Sequence, residues 1–460
     1  MLPQTTKDGA SLHLARHFAA TNYASLGAET VHATCRALLD AHGVMLAATG
    51  LAPDTLPFRA RALADGGRPE SRLLGGDDRV PATGAAFANG ALGHALDFGD
   101  TFDAGPAHPN AALVPALLAL ADADPTIDGG QFVTAVALGS DLACRISLAP
   151  ERPLEAGGWY PPPFGGMIGA AAACAKLIGL DAEGIVQAMG LALCQASFPG
   201  EIKHDADTRL RGLREAFAAR SAVSAALLAR DGVRGFAAPL EGKGGFFMLH
   251  GGGLREDVLL ARLGTRYLGD EVSFKPWPCC RGTHAYIEAA LELRQQVDWR
   301  AIDRVDTETG PIQEMLITPH EAKAAPGSAI DAKFSIPYTV AAALVHGAVT
   351  LDSFSPSALM DPDVLALARK VIARRNPAWG RAEAAAGALT VIDVSGTGHH
   401  HAVPQAAGHP DRPLGDDDLI DKFVTCVRHG AQPIGEARAR ALAQAILTLG
   451  PADKVATIGF

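Results

Sequence analysis

Two short runs, His94-Ala-Leu-Asp97-Phe-Gly-Asp100-Thr101 and Ala107-His108-Pro109-Asn110, bring imidazoles, carboxylates and a hydroxyl together close in the chain. The four-residue spacing of Asp97 and Thr101 predicts that both project from one face of a helix, near an end forced by Gly105 and Pro106. His108 then precedes a proline that can open the next helix, an N-cap-like position facing solvent or substrate. A histidine there can exchange a proton near neutral pH, with Asp97 orienting it or binding a hydroxyl. The same residues also serve as caps and loop polar groups, and residue types alone do not choose between the two.

A second run, Lys275-Pro-Trp-Pro-Cys279-Cys280-Arg281-Gly-Thr-His284, holds two cations, two thiols and an imidazole. Lysine and arginine here could hold carboxylates, Arg281 with a bidentate fork and Lys275 as a point charge. Cys280 and His284 are spaced as a metal pair, but no further Cys or His stands at a recognisable spacing, so no metal is expected. The run His399-His400-His401 reads as a polar loop after a strand. Asp331-Ala-Lys333-Phe-Ser335-Ile-Pro-Tyr338 precedes an apolar helix, and a helix start with a lysine and a tyrosine suits an anion, though it is equally a cap with a core tyrosine. The glycines of Phe164-Gly165-Gly166-Met-Ile-Gly169 follow no strand, so helix packing fits them better than a dinucleotide loop.

The elements that must position these groups are mostly helical. From about Ala10 to Leu260, alanine and leucine recur on helical spacings between Gly and Pro breaks. Around Gly269 to Pro278 the texture turns to prolines and aromatics, which marks a boundary. Beyond it the helices THAYIEAALELRQQV and AKFSIPYTVAAALVHG mix with strand-like IDRVDTETG and ALTVIDVSG, implying a smaller α/β unit. After GHPDRPLGDDD the pattern returns to helix, able to pack back onto the first body. The chain thus reads as a large all-helical domain, residues 1–272 plus 414–460, with an inserted α/β domain, residues 273–413. At 460 residues, 48% hydrophobic and 20% charged, it can bury a sizeable core. A net charge of -10 argues against a nucleic-acid partner. No apolar run is long enough for a membrane span or a leader, and seven scattered cysteines without a CxxC propose no disulfide framework. A cytoplasmic protein is expected.

Asn89-Gly90 through HALDFGDT and His108-Pro109, KPWPCCRGTHAYIEAA and AKFSIPYTVAAAL, in that order, resemble the MmgE/PrpD family of 2-methylcitrate dehydratases, cis-aconitate decarboxylases and iminodisuccinate epimerases. The resemblance implies a helical domain from both chain ends with an inserted lid, a homodimer, and catalysis without metal or organic cofactor. It also implies a pocket between the domains that draws on Asp97, Thr101 and His108, with Lys275, Cys280 and Tyr338 from the lid. Cys280 stands where the decarboxylase branch carries a histidine, Tyr160 where many members have a histidine, and Arg211 where a lysine is common. Arginine keeps anion binding but cannot act as a base. The expectation is a lyase, with dehydration placed first and decarboxylation or epimerisation as alternatives. A small di- or tricarboxylate would be clamped by Arg211, Lys275 and Lys333, with Arg281 and His284 as further binding groups. His108 would move the proton next to a carboxylate, and Tyr338, Tyr160 and Thr101 would position or protonate the leaving group. The rival from another class is a carboxylate-binding homologue without chemistry.

Overall fold

The computed structural model describes residues 9–205, 207–380 and 383–455. The chain divides between Val272 and Ser273, and again between Leu414 and Gly415, into two compact units, the first containing both chain ends.

The first unit is helical. Its site-positioning elements are α1 (Ala28–Leu51), α2 (Ala82–Ala95), α3 (Pro109–Ala123), α4 (Gly129–Leu148), α5 (Pro162–Leu177) and α6 (Glu215–Arg230). Alanine and glycine dominate their contact faces, so the axes approach closely. A Cβ on Gly165 would lie 2.6 Å from the Ala143 carbonyl oxygen, and one on Gly169 would lie 2.4 Å from that of Gly139. The glycine run at Phe164 is therefore a packing face between α5 and α4. Gly93 does the same between α2 and α3, where a Cβ would fall 2.1 Å from the Ala111 carbonyl oxygen. Asn89 accepts from the Leu74 amide at 3.0 Å and donates to the Arg72 carbonyl at 2.9 Å, which explains a polar residue inside the apolar α2.

After the second unit, two helices return to the first, α9 (Asp416–Arg428) and α10 (Glu436–Leu447), the labels α7 and α8 belonging to the second unit. Leu419, Ile420, Phe423, Cys426 and Val427 form the buried stripe of α9, spaced as one helical face. That stripe packs on α1, where Gly43 leaves room for the Phe423 ring.

The second unit is α/β. Helices α7 (His284–Leu293) and α8 (Ile336–His346) pack with a four-stranded sheet of β1 (Ile302–Thr309), β2 (Val371–Arg375), β3 (Gly387–Asp393) and β4 (Gly398–Val403), in the order β2-β1-β3-β4. The β1/β2 pair is parallel, with Val305 opposite Val371, and the other pairs are antiparallel. Ile302, Val305, Val371, Leu389 and Val391 supply the buried sheet face. The three histidines expected in a loop instead form the edge strand β4, with His400 opposite Thr390 and bonded to its hydroxyl at 3.0 Å.

Candidate active site

The helix expected to carry Asp97 and Thr101 stops early. α2 ends at Ala95, and Asp97 takes a left-handed backbone with φ of 49°. That region is costly for most L-residues and tolerated best by Gly, Asn and Asp. The reversal folds Asp97 back onto α2, where its Oδ1 lies 3.2 Å from His94 Nε2, both side chains 2% exposed. Asp97 and Thr101 therefore share a loop and not a helical face. A bridge between Phe102 and Ala107 closes that loop and delivers His108 to the N-cap of α3, with Pro109 as its first residue.

The loop turns its groups onto His108. The Asp100 carbonyl oxygen lies 2.9 Å and the Thr101 hydroxyl 3.3 Å from His108 Nδ1. A carbonyl only accepts, so Nδ1 carries the hydrogen, and Nε2 holds the lone pair of the neutral ring. The His94 and His108 ring centroids are 4.3 Å apart. Behind them Asp100 is buried, accepting from Asn110 Nδ2 at 2.9 Å. Burial pushes its carboxyl up to about 7, repulsion from Asp40 adds to this, and the Asn110 bonds and the Lys422 charge oppose it. His94, Asp97 and His108 each present a ligand atom within 4.8 Å of the others, so this trio could hold a metal ion. Two of the three residues already face each other as the His94–Asp97 pair. His94 heads the first run but carries no expected role; the signal for one was its three-residue spacing from Asp97.

A cationic cluster stands against the same helix ends. Arg211 lies half-buried in the short helix Leu210–Leu213. A Cβ on the next residue, Gly212, would sit 3.5 Å from Ala95 Cα, so this turn rests on the C-terminal end of α2. The Arg211 carbonyl accepts from Arg214 Nη1. Arg214 is buried beside Glu215, Nε to Oε1 3.2 Å, and its guanidinium lies 4.8 Å from the Tyr160 ring centroid. Lys203 Nζ lies 5.7 Å from the same centroid. Burial raises the Glu215 carboxyl, and Arg214 opposes the shift. Tyr160 is 6% exposed and held by its amide to the Phe198 carbonyl at 2.8 Å. Arg214, Glu215 and Lys203 were not foreseen, because only the fold brings them to Tyr160.

The second unit treats its cations differently. Arg281, expected to hold carboxylate, donates to the main-chain carbonyls of Ala407 at 2.7 Å and Ala406 at 3.1 Å. Lys333 is 3% exposed, donates to the Pro278 carbonyl at 2.7 Å and lies 4.2 Å from the Phe354 ring centroid. These two expected clamps are thus engaged in holding the 278–281 turn to its surroundings. The Cys280 amide donates to the Lys333 carbonyl at 3.0 Å, which fixes the half-buried Cys280. His284 is fully buried with Nε2 3.2 Å from the Cys279 carbonyl, so that nitrogen is a donor and not half of a metal pair with Cys280. Tyr338 sits in the first turn of α8, capped by Ser335, and its hydroxyl donates to the Ser353 carbonyl at 2.7 Å. Burial and the nearby Asp361 push that phenol up to about 12. Lys275 is fully buried.

Among the described residues, no helix is long and apolar enough to cross a membrane. Residues 12–256 match the family model of the MmgE/PrpD N-terminal domain, and residues 277–448 match that of the MmgE/PrpD C-terminal domain. The chain is 29% identical over 402 residues to the cis-aconitate decarboxylase-like protein oryM of Aspergillus oryzae, covering 82% of this chain and 83% of that protein. It is 29% identical over 356 residues to the cis-aconitate decarboxylase of Homo sapiens, covering 75% and 73% of the two chains. With the 2-methylcitrate dehydratase of Escherichia coli strain K12 it shares 26% identity over 382 residues, 76% of each chain. Two domain models in their expected order span most of the sequence, and the chain belongs to the MmgE/PrpD family.

Proposed function

We propose that this chain is a lyase acting on a small di- or tricarboxylate with its own side chains as acid and base. One observation carries the reading. His108 has Nδ1 directed at the Asp100 carbonyl, which makes Nε2 the atom that exchanges a proton with substrate, beside the buried His94–Asp97 pair. Arg211 supplies positive charge where a carboxylate gains enolate character, and the Arg214–Glu215 pair under Tyr160 holds that wall in place. The second unit enters the proposal as a lid through Lys275 for carboxylate binding and through Cys280 and Tyr338, each to be tested by its own substitution.

In dehydration, Nε2 takes the proton from the carbon next to the carboxylate, the pair forms the new double bond, and hydroxide leaves with a proton from Tyr160 or Thr101 as water. In decarboxylation, the carbon–carbon bond to one carboxylate breaks, carbon dioxide departs, and the pair left on carbon takes the Nε2 proton of a His108 that enters the step as imidazolium, which returns the ring to its neutral Nδ1–H form. Dehydration is placed first. The relatives give the second reading its weight, because the cis-aconitate decarboxylases of Homo sapiens and Mus musculus stand at 29% identity, while those of Aspergillus terreus, at 26% and 27%, stand level with the Escherichia coli dehydratase at 26%.

The proposal includes a homodimer in the cytoplasm. Its supports are the exposed apolar side chains Phe217, Leu210 and Leu56, 38%, 43% and 55% exposed, and seven free thiols, which suit a reducing compartment. The test is proton NMR in deuterium oxide of metal-stripped protein with 2-methylcitrate, citrate, cis-aconitate, iminodisuccinate and hydroxy acids. New olefinic signals identify a dehydratase, loss of a carbon a decarboxylase, and deuterium uptake alone an epimerase. A folded protein whose melting temperature rises with an acid that is never turned over would replace the lyase with a binding protein.

A further inference from the structure

The catalytic loop is tied to the returning C-terminal segment by one buried cation. Lys422 of α9 is 7% exposed and pairs at 2.6 Å with Asp40 of α1, which is fully buried. A pair between two helices could serve only to hold them together, but Lys422 has a second partner. Its Nζ donates at 2.7 Å to the carbonyl of Phe98, the residue that follows left-handed Asp97, and lies 3.8 Å from the Phe98 ring centroid. Two residues on, Asp100 is held through its carboxyl by Asn110, and its carbonyl meets His108 Nδ1. An ammonium has three donors and a fixed reach, so Asp40 aims it and the Phe98 carbonyl receives it. The loop carrying Asp97, Asp100 and Thr101 is thus fastened at Phe98 from outside and at Asp100 from α3.

We propose that Lys422, aimed by Asp40, is a positioning residue that acts through the Phe98 carbonyl to hold the Asp100 carbonyl against His108 Nδ1 and so fixes the tautomer of the catalytic histidine. The proposal rests on the reading of His108 as the proton-exchanging group.

Lys422→Met alone would strand the buried Asp40, so the informative variant is Asp40→Asn/Lys422→Met, which removes both charges together. With the acid turned over in the assay above, kcat falls about 10- to 100-fold, as displacement of a catalytic group does, while KM stays within about twofold. Lys422→Arg, keeping a buried cation donor, restores most of the loss. The direct readout is nitrogen-15 NMR of labelled histidine, with the His108 signal assigned by its absence from His108→Ala. Wild type gives the pattern of a neutral ring protonated at Nδ1, and the double variant gives a mixture of tautomers. A double variant with a wild-type melting profile and an unchanged His108 pattern overturns the inference, whether or not kcat has fallen. If His108→Ala keeps full turnover, the reading of the base fails, while the tautomer measurement still decides whether Lys422 controls that ring.

Discussion

The loop 97–108 of the first unit and the turn 275–284 of the second contain similar chemistry by residue type, yet the fold uses them in opposite ways. In the first, one main-chain bond, His108 Nδ1 to the Asp100 carbonyl, is joined by side chains that face side chains, with His94 against Asp97, the His94 ring against that of His108, and Thr101 against His108 Nδ1. A left-handed aspartate is tolerated to bring this about. In the second, the donors face main-chain carbonyls, with Arg281 on residues 406 and 407, Lys333 on Pro278 and His284 on Cys279. A donor bound to a carbonyl stabilises a turn, whereas converging titratable side chains in a bent loop can exchange protons. Type and spacing mark both runs as chemical, and hydrogen-bond partners separate them.

The sharpest way to break this comparison is His108→Ala. Loss of the acid–base group should lower kcat by about 10²- to 10⁴-fold with the melting temperature little changed, because the ring is only partly buried. Steady-state kinetics and a thermal melt check it, and a loss under tenfold would put the proton on another residue. A smaller and opposite effect is expected at Lys333. Lys333→Met removes a buried charged donor from the Pro278 carbonyl, costing on the order of 2 kcal/mol of stability, with kcat/KM per folded molecule unchanged. Lys275→Met should do the reverse and raise KM. If Lys333→Met raised KM without loss of stability, the two runs would be alike after all, and Lys333 would return to the clamp.

Much of this was legible in the chain. The packing role of the Phe164 glycines, His108 as the N-cap before Pro109, and the strands at 302–309 and 387–393 all follow from spacing and turn chemistry over a few residues. What escaped depends on contacts distant in sequence. The end of α2 at Ala95 is set by Asp97 folding back onto His94, which a periodic pattern continuing through LDFGDT conceals. Arg281 is matched with carbonyls at 406 and 407, and Lys422 with Asp40 and Phe98, pairings that no local window contains. The histidines of β4 were misplaced because an edge strand needs only one partner and tolerates polar residues on its exposed face.

The mildest test concerns what lies behind the loop. Asp100 has a carboxyl raised to about 7 in the folded chain, against about 4 when unfolded, so between these values the folded state binds more protons. Its contribution to stability is therefore complete below pH 4, declines as pH rises to 7, and is unfavourable above, when a buried carboxylate must stay charged. Asp100→Asn keeps an oxygen for Asn110 Nδ2 and keeps the main-chain carbonyl that meets His108. It should therefore gain on wild type in melting temperature between pH 5 and pH 8, by on the order of 2 °C, with kcat largely retained. Paired melts across that range measure it. A constant difference at every pH would mean that Asp100 stays charged throughout, its negative charge matched by Lys422. The side chains behind His108 would then form an ion-paired support like that of Lys422 with Asp40, and not a neutral one.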